Sequence, residues 1–387
     1  MRSEGRRPRE QAAGERAISQ AGELRSSRIE SLRALAALGV VFSHIYLSHF
    51  YPSSGAAAYT TFWHRTLLAG GFGVWVFFGL TGYLLYLPFV RRDLAAGPQL
   101  SYARYARNRA VRILPLYYVV TVVSLIFVDH VHGVGTWIRF LVFGENFSRT
   151  TIARLDGPVW SLVIELHFYI LLPFLALGLA AVGRRSVKGV TAALAVLGLA
   201  ALALRWVTVD HPHTINPLWQ YNLPSTFVYF IPGMLLAVLK VSWDRDPPDW
   251  LQRNRLARNP ATWLALTVPL WVLTIHRYDW DPLVAVVTFL TIGACVLPLD
   301  SSPALRALEW RPLAVLGVAS YSLYLWHLPI VNHLIIHQMR GDSFLLMLAV
   351  QLPLTCLVAL VSYRLIEAPF LRIRKGWQGT PAQTTST

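Results

Sequence analysis

Ten apolar runs, each close to the length that crosses a bilayer core, leave this chain few ways to fold. They fall near 29–48, 70–90, 112–129, 159–182, 188–207, 220–240, 260–276, 282–299, 313–337 and 343–366. In hydrocarbon every backbone amide must find its partner inside the protein, so such runs become helices rather than open strands. The expected fold is all-α: a polytopic membrane protein with about ten transmembrane helices. Prolines interrupt the eighth and tenth runs, which membrane helices tolerate better than soluble ones.

Orientation follows from the basic residues. With the N-terminus cytoplasmic, 26 of the 35 Lys and Arg fall in cytoplasmic segments. Opposite them lie only Arg65, Arg139, Arg149, Arg154, Arg277 and Arg340. Positive charge stays inside, so both termini are expected in the cytoplasm. Residues 1–28 are polar and arginine-rich, without the apolar core or cleavage site of a signal peptide. They are expected to form a disordered cytoplasmic arm before a transmembrane domain at 29–371, with a cytoplasmic tail at 372–387. The outer stretch Trp137–Phe143 has the pattern of an amphipathic interfacial helix or a partial re-entrant element.

Charged residues make up 14% of the chain, against about a quarter in a soluble protein. The net charge of +15 does not mark a nucleic-acid binder, because the basic residues lie between apolar runs. Anionic lipid headgroups are their expected partners. Only three of the basic residues are lysine, a bias typical of high-GC bacterial genomes. Cys295 and Cys356 lie inside apolar runs and build neither a disulfide framework nor a metal cluster, so buried thiols are expected.

Ionisable groups within spans are costly and therefore informative. The first run reads RIESLRALAALGVVFSHIY, with Arg33 and His44 eleven positions apart. At 100° per residue they return to one face within about 20°, separated by roughly 16 Å along the axis. Arg33 sits about one turn from the cytoplasmic end and His44 lies deep. Imidazole titrates near neutrality, which suits it to take a proton from a hydroxyl. The structural alternative is a snorkelling arginine and a helix-packing histidine.

Four further segments carry similar groups. GGFGVWVFFGLTGYLL opens the second run with glycines that let backbones approach. Arg109 and Arg112 stand one turn apart, able to hold phosphates or simply to keep that loop inside. In the fourth run, Trp160 and Ser161 precede Glu165 and His167, and a carboxylate there must be paired or protonated. Glu165 could orient a histidine, bind an acceptor hydroxyl, or tie helices together. The ninth run, ASYSLYLWHLPIV, sets Tyr321 and His327 ahead of Pro329, and His327 could share proton handling or bind substrate. In YRLIEAPF, Arg364 and Glu367 have the spacing of an intrahelical ion pair.

Taken together, these segments resemble the acyltransferase family 3 of bacterial membrane proteins, from Arg28 to Pro369. The likeness rests on Arg33 and His44, GVWVFFGLTGYL, the Arg109–Pro115 motif, WSLVIELHFY, SYSLYLWHLPI and the closing IEAP. Thr81 stands where members commonly have Ser, and Val163, Leu166 and His167 depart from the WSLSxEEQ pattern around a retained Glu165. The resemblance implies a multi-pass protein of the bacterial cell membrane that transfers acetyl or a short acyl group from acyl-CoA. It implies His44 as the base with Arg33 beside it, and Arg33, Arg109 and Arg112 as acyl-CoA ligands. Glu165, Trp160, Ser161, His327 and Tyr321 would support the site or its acceptor.

No metal or other cofactor is expected, since a thioester is already activated. The chain is expected to be of the stand-alone type, with no further domain after the tenth run. Arginine bias and length look like those that acylate macrolide antibiotics in actinomycetes, so the expected acceptor is a macrolide hydroxyl. The alternative is a cell-envelope polysaccharide. Outside this chemistry stand a proton-coupled transporter, with its Arg, Glu and His as a relay, and a structural or receptor-like protein.

Overall fold

The computed structural model describes residues 7–54, 61–127, 133–152, 159–210, 217–277, 281–337, 339 and 342–376. All regular structure among them is helical. Six helices are long and apolar enough to span a membrane, and two bent pairs and two shorter apolar helices complete the ten runs.

The first, α1 (Arg7–Ser54), begins well before the apolar run. The backbone of residues 7–28, expected as a disordered arm, is helical because Ala, Glu, Gln and Arg propagate a helix that the apolar segment has nucleated. Residues 1–6 and the tail from 377 onward lie outside the described residues. There follow α2 (Gly73–Leu94), entered through a short helix at Phe62–Leu68, and α3 (Tyr102–Phe127). The amphipathic α4 (Val134–Leu141) occupies the outer stretch read as interfacial. Then come α5 (Val159–Val182), α6 (Val187–Asp210), α7 (Ile231–Arg245), α8 (Pro260–His276) and α9 (Leu283–Val296). The last are α10 (Arg311–Val318), α11 (Ser320–His337) and α12 (Phe344–Ser362).

The breaks do not fall at the prolines of the eighth and tenth runs. Pro282 and Pro298 flank α9, and Pro353 lies inside an unbroken α12. The sixth run bends by 46° between Leu223–Tyr229 and α7, where Pro232 lacks the N–H that would continue the ladder. The ninth bends by 72° between α10 and α11. Just before that bend Gly317 presses on α1, where an added Cβ would stand 1.8 Å from the Glu30 carbonyl oxygen.

Contacts between loops sort the ends of the bundle as the charge pattern requires. At the arginine-rich end Arg28 pairs with Glu309 at 2.6 Å, Arg245 donates to the Leu94 carbonyl at 3.1 Å, and Arg258 lies 3.4 Å from Asp300. At the other end Arg65 reaches the His276 carbonyl, and Arg205 joins Asp281 to the Gln220 carbonyl. Asn146 there donates to the carbonyls of Trp160 and Tyr221, at 2.9 and 2.7 Å. Beside it Glu145 is 1% exposed, 3.2 Å from the Tyr117 hydroxyl, and burial pushes its carboxyl up to about 8.

Two close crossings hold the middle. Near the start of α2, Gly73 lies so near α1 that a Cβ would come within 2.3 Å of the Ala36 carbonyl oxygen. That crossing falls between Arg33 and His44. Farther along α2, stacked Phe78 and Phe230, 4.6 Å between rings, and Phe168 beyond them at 4.1 Å, fill the centre of the core.

Candidate active site

A narrow cavity of about 90 Å³ lies between α1, α2, α3, α5 and α11. Its charged lining consists of Arg33, Arg109, Arg112 and Glu165. Three cations against one carboxylate make it a place for an anion. Its mouth is at the arginine-rich end, because Arg109 and Arg112 lie in the first turns of α3.

Each arginine is held differently. Arg33 donates from Nε to Ser320 Oγ at 3.1 Å and lies 3.6 Å from Glu30. The 72° bend makes the first contact possible, since it sets Ser320 and Tyr321 at the head of α11 against the cavity. Arg112 pairs with the buried Glu367 at 2.8 Å, its guanidinium 5.9 Å from the centre of the Tyr321 ring. Arg109 has a buried Nε without a partner, so it retains donor capacity for a ligand.

Glu165 orients no histidine. Thr81 donates to its Oε1 at 2.9 Å and Tyr169 to its Oε2 at 2.8 Å. The hydroxyl that Thr81 keeps is therefore a ligand of this carboxylate. His167 turns away and meets Phe147, their rings 5.8 Å apart. Trp160 is not in the lining either; it packs between Trp75 and Tyr221, at 5.7 and 5.3 Å. Ser161 does line the cavity and shares a 2.7 Å hydrogen bond with the Tyr324 hydroxyl.

Arg33 and His44 do face one way, both toward α11, which runs parallel to α1. Where Arg33 meets Ser320, His44 meets His327, their ring centres 5.0 Å apart. A carbonyl can only accept, so the bond from His44 Nδ1 to the Val40 oxygen at 2.8 Å puts the proton on Nδ1. His44 Nε2 is then the basic nitrogen. His327 is arranged alike, with Nδ1 on the Tyr324 carbonyl at 2.5 Å and a buried Nε2 without a partner.

The pair expected between Arg364 and Glu367 does not form. The chain passes from α12 through a π-helical turn at Tyr363–Glu367, which leaves Arg364 exposed and turns Glu367 inward to Arg112 and Ser322. Cys295 is buried and Cys356 only half so. Among the described residues no cluster of His, Cys, Asp or Glu could hold a metal ion.

The sequence pattern of the acyltransferase domain family matches residues 26–365, which takes in the cavity lining and both histidines but stops two residues short of Glu367. The chain belongs to the acyltransferase domain family. It is similar to the O-acetyltransferase OatA of Staphylococcus aureus (strain NCTC 8325 / PS 47), 24% identical over 88% of this chain and 56% of that protein. YrhL of Bacillus subtilis (strain 168) is 28% identical over 88% of this chain and 54% of its own length. The peptidoglycan O-acetyltransferase OatA of Listeria monocytogenes is 25% identical over 90% and 57%. The chain thus spans little more than half the length of these relatives. No solved structure matches. The chain is thus a member of the acyltransferase domain family with several helices long and apolar enough to cross a membrane.

Proposed function

We propose that the chain is an O-acyltransferase that moves acetyl or a short acyl group from cytoplasmic acyl-CoA to a hydroxyl of a cell-envelope polysaccharide. The observation that carries this reading is the cavity with three arginines at the basic end, in line with a histidine pair deeper in the bundle. Arg109 and Arg112 hold donor phosphates at the mouth, with Arg33 one layer further in. The thioester then extends outward toward His44.

There His44 Nε2 accepts the proton of the acceptor hydroxyl as its oxygen attacks the thioester carbonyl. The carbon–sulfur bond breaks, the acyl group stays on oxygen, and the leaving thiolate takes the proton back from His44. His327 packs against the imidazole and fixes its plane.

The acceptor reading leans on two relatives whose names specify O-acetyl transfer, one of them on peptidoglycan. A macrolide acceptor has no such support. The test is thiol release by the purified protein in vesicles with acetyl-CoA, offered peptidoglycan fragments or macrolides in parallel. Release that depends on the glycan is expected. Release with macrolides alone overturns the acceptor. A protein that binds acetyl-CoA yet never releases thiol is a transporter or receptor, and the donor reading falls.

A further inference from the structure

The cavity and the histidine pair do not communicate. Its lining includes Phe77, Ser161 and Tyr324 but neither His44 nor His327. The Tyr324 ring stands between, 5.6 Å from the His327 ring on one side and 6.0 Å from that of Phe77 on the other. Along α11 it comes after Ser320, which holds Arg33, and before His327, which meets His44. Something must move before a donor anchored at the arginines can meet His44.

We propose that Tyr324 is the barrier between the donor cavity and the histidine pair, latched by its hydroxyl on Ser161, and that its ring must swing aside for transfer. The identity of what passes rests on the function proposed above; the barrier itself does not. Two features make this residue the moving part. Its 2.7 Å bond to Ser161 joins side chains of α11 and α5, so it can break without disturbing either helix. The His327 Nδ1 bond goes to the backbone oxygen of Tyr324, so rotation of the ring leaves that histidine oriented. Phe77, the other ring against Tyr324, has no polar handle, and lining side chains such as Leu80, Ile113 and Leu162 are aliphatic.

The test reads access instead of turnover. A single thiol is placed by His44→Cys in a background carrying Cys295→Ser and Cys356→Ser. A small, membrane-impermeant anionic methanethiosulfonate is then applied to the cytoplasmic face of inside-out vesicles. With Tyr324 present, labelling of position 44 is expected to be slow. Tyr324→Ala is expected to speed it at least tenfold. Tyr324→Phe and Ser161→Ala, which remove the same bond and keep the ring or its surroundings, are expected to give one common, smaller increase. Tyr324→Trp, which keeps the bulk but loses the same bond, controls for loosened packing and should rise no more than Tyr324→Phe. Equal labelling with and without the ring, or acceleration by Phe77→Ala alone, overturns the barrier. A Tyr324→Phe rate equal to that of the parent overturns the latch. None of these outcomes depends on acyl-CoA being the donor, so failure of thiol release leaves them readable.

Discussion

The imidazoles of His44 and His327 confront each other at 5.0 Å between centres, inclined by 60°, on two helices that run in parallel. Each is oriented by a carbonyl of its own helix, three or four residues earlier. Both basic nitrogens are thereby left for chemistry or for each other. On this geometry His44→Gln keeps bulk but loses the base, and thiol release should fall by about 10²-fold or more. His327→Gln keeps His44 in place and should cost markedly less. Near wild-type rates in folded His44→Gln protein would remove His44 from the mechanism.

Arg112 and Arg109 line one cavity but should respond differently to truncation. Arg112→Ala strands the carboxylate of Glu367, which is 3% exposed, and should destabilise the protein by about 3 kcal/mol. Arg109→Ala breaks no ion pair among the described residues, so stability should fall less than in Arg112→Ala while the KM for acyl-CoA rises several-fold. Thermal unfolding in detergent, alongside KM, separates the two. Equal loss of stability in both variants would contradict the assignment.

The outer loop should loosen as pH rises from about 4.5 to about 8. Glu145 keeps its proton in the folded protein up to about 8, whereas the unfolded chain gives it up near 4.5. Between those values the folded state binds more protons, so stability falls as pH rises and levels off above about 8. The unfolding temperature of Glu145→Gln should fall less steeply than that of the parent across this window. Parallel curves for the two proteins would count against it.

Gly73→Ala should be harmful out of proportion to its size. Its Cβ would lie 2.3 Å from the Ala36 carbonyl oxygen, so α1 and α2 must separate, at a cost of about 1–3 kcal/mol. The crossing sits between Arg33 and His44, hence activity at low temperature should drop as well. Unchanged melting and turnover would show that the backbones yield freely.

The Arg33–His44 alignment was legible because helical periodicity alone brings position 44 back over position 33. The ten runs were legible for a similar reason, since apolar length is a local property. Arg364 and Glu367 misled through the same kind of spacing: a π-helical turn altered the register, and Arg112, distant in sequence, held the carboxylate instead. The prolines of the eighth and tenth runs did not mark breaks either: the sixth run bends beside Pro232, and the ninth where Gly317 presses on α1, a tertiary contact. Tyr324 stands within the SYSLYLWHLPI segment, yet its place between cavity and histidines depends on that bend and on Ser161 of another helix. Ser320 and Tyr169 carried no signal of their own. Only assembly brings Ser320 to Arg33, and Tyr169 differs in no local way from other aromatic residues of a span.

The contact between Arg33 and Ser320 joins residues 287 positions apart. During synthesis Arg33 therefore has Glu30 of its own helix and the earlier spans around it, but its Ser320 hydroxyl arrives only with the ninth run. Glu367, which neutralises Arg112, arrives later still. A chain cut short before Glu367 thus keeps Arg112 without the carboxylate that neutralises it. Such a chain carries its own mark for membrane quality control, and premature termination should yield degradation rather than a leaky enzyme.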